Sequence, residues 1–191
     1  MPSEEANMFT FSSGSTFVNF IVSLFKVVIG LIGLLIAVFA LTLFAARFAD
    51  GPWAIITGGS FSSGKLVTEE PDWAFVKEHG EVEFELVASG TSRTTWIAEH
   101  EGRIFIPSGY MNSTLGKIWK QWPAQAVEDG RAILRVDDKL YQRQMVRIHE
   151  DPALPHVLSE ITRKYFPQAP QPMPMSEVTS NNTWVFELVR P

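Results

Sequence analysis

Polar and apolar side chains alternate along most of this chain, but not near its start. Val27 to Ala46 runs without a break of apolar residues except Thr42, and a helix of that length measures about 30 Å, the thickness of a bilayer's hydrocarbon core. A chain of 191 residues has too little volume to surround an all-round apolar helix, so the run is expected to span a membrane. Phe17 to Lys26 either extends this helix or lies in the interface, with Lys26 snorkelling towards headgroups. The opening MPSEEANMFTFSSGS carries two acids and no base, unlike the basic start of a cleaved leader, so the span is expected to be retained as an anchor. The expected divisions are a short acidic tail over 1–16, a transmembrane anchor helix over 17–48, a membrane-proximal segment over 49–80, and a mainly β domain over 81–191.

Within that domain the period shortens to two. EVEFELV sets Glu81, Glu83 and Glu85 against Val82, Phe84 and Leu86, which predicts a strand with one wet face. TTWIAEHEGRIFIP and RAILRVDDKLYQRQMVRI read as hairpins turning at Glu101-Gly102 and Asp137-Asp138, and TWVFELV as a last strand. Two stretches keep helical spacing. NSTLGKIWKQW groups Leu115, Ile118, Trp119 and Trp122 before Pro123, which is expected to break the helix. DPALPHVLSEITRKYF spaces Leu154, Leu158, Ile161 and Tyr165 for one buried face. The proline-rich PQAPQPMPM reads as a stiff connector. Five to seven strands with a few short helices suggest a small β-barrel with helical plugs.

Composition narrows the chemistry. With a net charge of -5 and a pI near 5.4, and no basic stripe, the domain is not expected to bind nucleic acid. The absence of cysteine removes disulfides and thiol chemistry. His79, His100, His149 and His156 have no metal-ligand spacing, no Gly-x-Ser-x-Gly nucleophile motif occurs, and GGSFSSGK is not a Walker loop because Leu66 follows Lys65. No catalytic residue can be assigned. Around the span, Lys26 stands against Arg47 and Lys65, with no base in the tail, which favours a cytoplasmic domain. Charge is uneven: from Arg93 to Arg147 there are nine Lys/Arg against six Asp/Glu. Arg135, Lys139 and Arg143 read as solvated hairpin faces. Arg93 and Lys117 adjoin hydroxyl and glycine residues whose amides could share an anion. The loop Ser89-Gly90-Thr91-Ser92 is either such a phosphate lip or only a turn.

SGTSRTTW, GRIFIPSGY, GKIWKQWP and DGRAILRVDDKLYQRQMVRI, between Ser89 and Ile148, resemble in order and spacing the flavin-binding split β-barrel proteins, most of all the deazaflavin-dependent nitroreductase and quinone-reductase branch. The resemblance implies a split β-barrel-like domain and a homodimer. It also implies FMN or a deazaflavin as cofactor and a quinone or other lipid-soluble acceptor. Arg93, Thr94 and Thr95 would lie beside the cofactor's phosphate or ring, Ser108 and Gly109 would line the same cleft, Lys117 would pair with phosphate, and Trp119 would pack beneath. Where that family carries basic residues before the strand, this chain has Val87, Ala88 and Thr91, which removes attraction for a phosphorylated tail. The alternative is a non-catalytic, membrane-anchored accessory subunit with an empty barrel. Such a subunit would use Trp73, Trp96, Trp119, Trp122 and Trp184 for packing or for a membrane-protein partner.

Overall fold

A computed structural model describes residues 13–114, 116 and 120–191. They fall into two compact units that divide at Phe44/Ala45. The first holds nearly all of helix α1, Ser13–Ala46. Phe17 to Lys26 thus continues the helix, and Thr16–Ala46, with a mean hydropathy of 2.9, is long and apolar enough to cross a membrane. The one polar side chain of the apolar run is satisfied internally: Thr42 Oγ1 donates to the Val38 carbonyl at 2.9 Å, the bond a helix in hydrocarbon needs.

The second unit is mainly β with short helices. Strands β1 (Lys65–Leu66), β2 (Val82–Leu86), β3 (Thr91–Thr95), β4 (Ala98–His100), β5 (Arg103–Ser108), β6 (Arg131–Val136), β7 (Lys139–Ile148) and β8 (Trp184–Val189) form a single sheet. Its order is β3-β2-β6-β7-β8-β5-β4, and β1 pairs in parallel with the start of β7. In a flat sheet the outermost strands, six spacings apart, would lie about 29 Å from one another. Yet β3 and β4 are joined only by Trp96-Ile97, a link spanning at most about 11 Å. The sheet must therefore curl almost shut, and because β3 and β4 do not pair, it is a barrel split along one seam.

Both expected hairpins form for the expected reason. Glu101 and Gly102 (φ 51° and 77°) and Asp137 and Asp138 (φ 48° and 58°) place two successive residues in the left-handed region, the turn whose twist matches paired strands. The barrel interior packs Phe84, Ile104, Ile106, Leu134, Phe186 and Leu188 with Trp122. A second core covers the outer face of β4, β5 and β8 at Ala98, Phe105 and Val185, against Leu154, Val157, Leu158 and Ile161 of the helix Leu154–Tyr165. Strand β5 is buried on both faces, which explains its unbroken apolar reading in sequence. Trp73 and Val76, on a 3-10 turn over Trp73–Glu78, also enter the interior core.

Several expectations change. The helix expected before Pro123 is present at Thr114 and Gly116 and is absent at Lys120 and Gln121, while Trp122 and Pro123 belong instead to the first turn of a new helix, α2 (Trp122–Glu128), where the missing proline N–H costs nothing. Of the helix expected upstream, Leu115, Lys117, Ile118 and Trp119 lie outside the described residues. Glu85 is buried rather than wet, accepting the Phe61 amide at 2.7 Å. Arg143, read as solvated, is 4% exposed. Its guanidinium pairs with Glu70 at 2.9 Å and lies over the Trp73 ring at 4.9 Å. Arg135 bridges Glu83 (2.6 Å) and Asp50 (3.0 Å) while stacking on Phe61. In both cases segments before β2 fold back over the hairpin and supply the partners.

Two carboxylates brace this packing. Asp50 is held down at about 2 by the Ser63 hydroxyl first, then by the Ser62 and Ser63 amides and Arg135. Asp151 is held at about 2 by Arg103 first, then by the Ala153 amide. A folded-state pKa below the unfolded value of 3.8 means the native state binds fewer protons, so this stability is complete above about pH 4 and drains as pH falls towards 2. Melts of the detergent-solubilised chain are expected to hold their midpoint from about pH 7 to 5 and to lose it steeply below about 4. A flat profile down to about pH 2.5 would show that neither carboxylate stabilises the fold.

Candidate functional site

The site is built at the seam. Arg93 and Thr95 pair across β2 with Phe84 and Val82, and directly opposed residues share a face, so both side chains join the inward side. The two-residue link beyond β3 is pinned by α3, the helix Leu154–Tyr165 already described. The Tyr165 hydroxyl accepts from the Ile97 amide (3.0 Å) and donates to its carbonyl (3.1 Å), and Lys164 Nζ donates to the same carbonyl at 2.8 Å. Burial pushes the Tyr165 phenol up to about 12. Its ring stacks on Trp96, centroids 4.4 Å apart.

Along this edge opens a cleft of about 1070 Å³, at the upper end of the range for small-molecule and cofactor sites. Five of the seven residues singled out in sequence, Arg93, Thr94, Thr95, Ser108 and Gly109, lie on its wall. Lys117 and Trp119 are outside the described residues. The wall also includes residues not expected there: Trp96 and Ile161, which the sequence assigned to packing, and Tyr110, Lys120, Thr162 of α3 and Met173. Lys120 was within reach, since it is the second lysine of GKIWKQW. Met173 was not, because the proline-rich stretch read as a connector folds back to wall the cleft, its Met173 amide bonded to Thr162 Oγ1 at 2.8 Å.

The cleft's cations differ from most arginines of the barrel strands. Among the described residues Arg103, Arg131, Arg135 and Arg143 all reach carboxylates, and for all but Arg131, which pairs with the adjacent Asp129, these acids come from other segments. Arg93 and Lys120 are in no such pair. Arg93 donates to Thr91 Oγ1 at 3.0 Å, and burial first, then the charge of Arg47, pull its guanidinium down to about 10. Lys120 donates to the Gly109 carbonyl at 2.8 Å and is lowered by burial. Two half-desolvated cations favour an anionic ligand, whose charge would restore what burial removed. Glu81 and Glu177 share the wall, the latter engaged by Asn182 Nδ2 at 2.5 Å.

The loop Ser89-Gly90-Thr91-Ser92 does not form an amide lip. The Val87, Gly90 and Ser92 amides donate to the carbonyls of Arg131, Val87 and Gly58. Arg47 caps the outward carbonyls of Ser89 (2.8 Å) and Gly90 (2.6 Å). It is a hairpin turn between β2 and β3.

No protein-family model matches the chain, and no curated protein sequence matches it. Among solved structures it is similar to a candidate pyridoxamine 5'-phosphate oxidase from Listeria innocua, with 11% identity over 61% of this chain and 87% of that one and a TM-score of 0.41. It is also similar to a conserved hypothetical protein from Mycobacterium tuberculosis, with 17% identity over 69% and 84% and a TM-score of 0.43. Strand order and the position of the cleft define this chain as a split β-barrel with a cleft at its seam, carried behind one long apolar helix.

Proposed function

We propose that this is a membrane-anchored split-barrel protein whose seam cleft binds FMN or a deazaflavin in order to reduce a quinone or another acceptor dissolved in the bilayer. The observation that carries the reading is Arg93, half-buried in a large cleft with no carboxylate partner among the described residues. The residues fit such a cofactor: Arg93 and Lys120 would hold its phosphate, Thr94, Thr95 and Ser108 offer hydroxyls to its polar edge, and Trp96 offers a ring face. When bound, the cofactor supplies the redox chemistry. The chain's part is to bind, orient and exclude water. Helix α1 serves as the anchor, and the base-free tail against Arg47 and Lys65 favours a cytoplasmic barrel.

The second reading is an accessory subunit with an empty cleft, favoured by Glu81 and Glu177 on the wall and by the uncharged Val87, Ala88 and Thr91. Titration of the full chain in detergent with FMN and with a deazaflavin separates the two. Quenching of cofactor fluorescence at about micromolar concentration supports the first, and no binding of either ligand leaves the accessory subunit as the better account.

A further inference from the structure

From Gly51 to Gly64 the chain carries no charged residue, yet this stretch, with Phe48 just before it, projects apolar side chains into solvent. Ile55 is 88% exposed, Phe48 75% and Trp53 48%. Isolated exposed apolar residues mean little, but three within eight positions form a patch.

The patch is rigidly presented. Trp53 and Ile56 exchange backbone hydrogen bonds at 3.0 and 2.9 Å, closing a tight turn in which Ala54 takes φ 52°, a left-handed conformation that costs a non-glycine residue about 1 kcal/mol. The base of the turn is clamped. Gly58 packs so closely that a Cβ there would sit 1.8 Å from the Gly51 carbonyl oxygen, and Asp50 accepts the Ser62 amide at 2.8 Å. A strained turn held firmly at its base holds Ile55 outward rather than letting it fold onto the core.

We infer that the Trp53–Ile56 turn is a membrane-seated lip: Trp53 and Ile55 enter the headgroup region of a bilayer, placing the mouth of the cleft at the lipid–water boundary. Three observations select lipid as the occupant. The turn follows Ala46, the last residue of the apolar helix, by a tether of at most about 25 Å. Tryptophan beside aliphatic residues, with no charged residue in the turn itself, is the composition of an interfacial anchor. Ala54 and Ile55 themselves line the cleft, so a seated lip would open the cleft to bilayer-dissolved molecules. The inference rests on the reading of α1 as an anchor.

The chain lacks cysteine, so Ile55→Cys carries a single thiol for an environment-sensitive fluorophore in the full-length protein reconstituted into phosphatidylcholine vesicles. Glu101→Cys is the control, in the turn at the opposite end of β5 from the cleft residue Ser108. After flotation, quenching by shallow lipid-borne spin labels is expected to be at least about twofold stronger at Ile55 than at Glu101, with aqueous iodide giving the reverse order. Protein that floats while its Ile55 label stays open to iodide and untouched by lipid quenchers overturns the lip and leaves the anchor standing. Protein that fails to float overturns both.

Discussion

Phe186→Ala is expected to lower the barrel's melting midpoint by about 10–15 °C, the largest effect of any single truncation considered for this chain. Phe186 has no exposed surface and lies on β8, between β7 and β5. Its ring meets that of Trp122 at 5.3 Å, and Trp122 in turn meets Phe84 of β2 at 5.0 Å. The ring therefore joins walls of the barrel that no hydrogen bond connects. Cutting it to a methyl loses the transfer energy of the ring and leaves a void that a closed sheet cannot collapse to fill, together about 3–5 kcal/mol. Val127→Ala, at an exposed position on α2, should change stability by less than about 0.5 kcal/mol. The measurement is near-ultraviolet circular dichroism of the tryptophans during heating in detergent. A shift no larger than the control's would mean that the interior is not packed around Phe186.

Arg93→Ala is expected to weaken FMN or deazaflavin binding by about one to two powers of ten while leaving the fold intact. A charge-assisted hydrogen bond to phosphate contributes roughly 1.5–3 kcal/mol, and every 1.4 kcal/mol is tenfold in affinity. The fold should survive because, among the described residues, Arg93 forms no ion pair and its side-chain hydrogen bond goes only to the neighbouring Thr91. Lys139→Ala is the matched control: Lys139 is exposed, is in no ion pair among the described residues, and lies away from the cleft wall. Arg135 cannot serve that purpose, because its bridge to Asp50 and Glu83 makes it structural. Burial lowers the Arg93 guanidinium to about 10, still far above neutral pH, so the cation persists where binding is measured. Wild type and Arg93→Ala binding with equal affinity would remove Arg93 from the site.

The features legible in the residues alone were those settled within a few positions of chain. The Val27–Ala46 run declares its length against a bilayer without reference to any other segment. The turns at Glu101-Gly102 and Asp137-Asp138 announce themselves because few residue pairs accept two left-handed conformations in succession. Arg93, Thr94 and Thr95, like Ser108 and Gly109, stood out through the resemblance of two contiguous stretches to split-barrel proteins. That these two groups face one cleft depended on curvature, since β3 and β5 lie near opposite ends of the strand order and meet only because the sheet curls. Arg143 looks like any solvated strand cation until Glu70 and Trp73, some seventy positions earlier, fold over it. The proline run gave no sign that Met173 would reach Thr162. Local backbone chemistry fixes turns and spans at short range, whereas the burial of a charge and the wall of a cleft depend on which distant segments the closing barrel brings together.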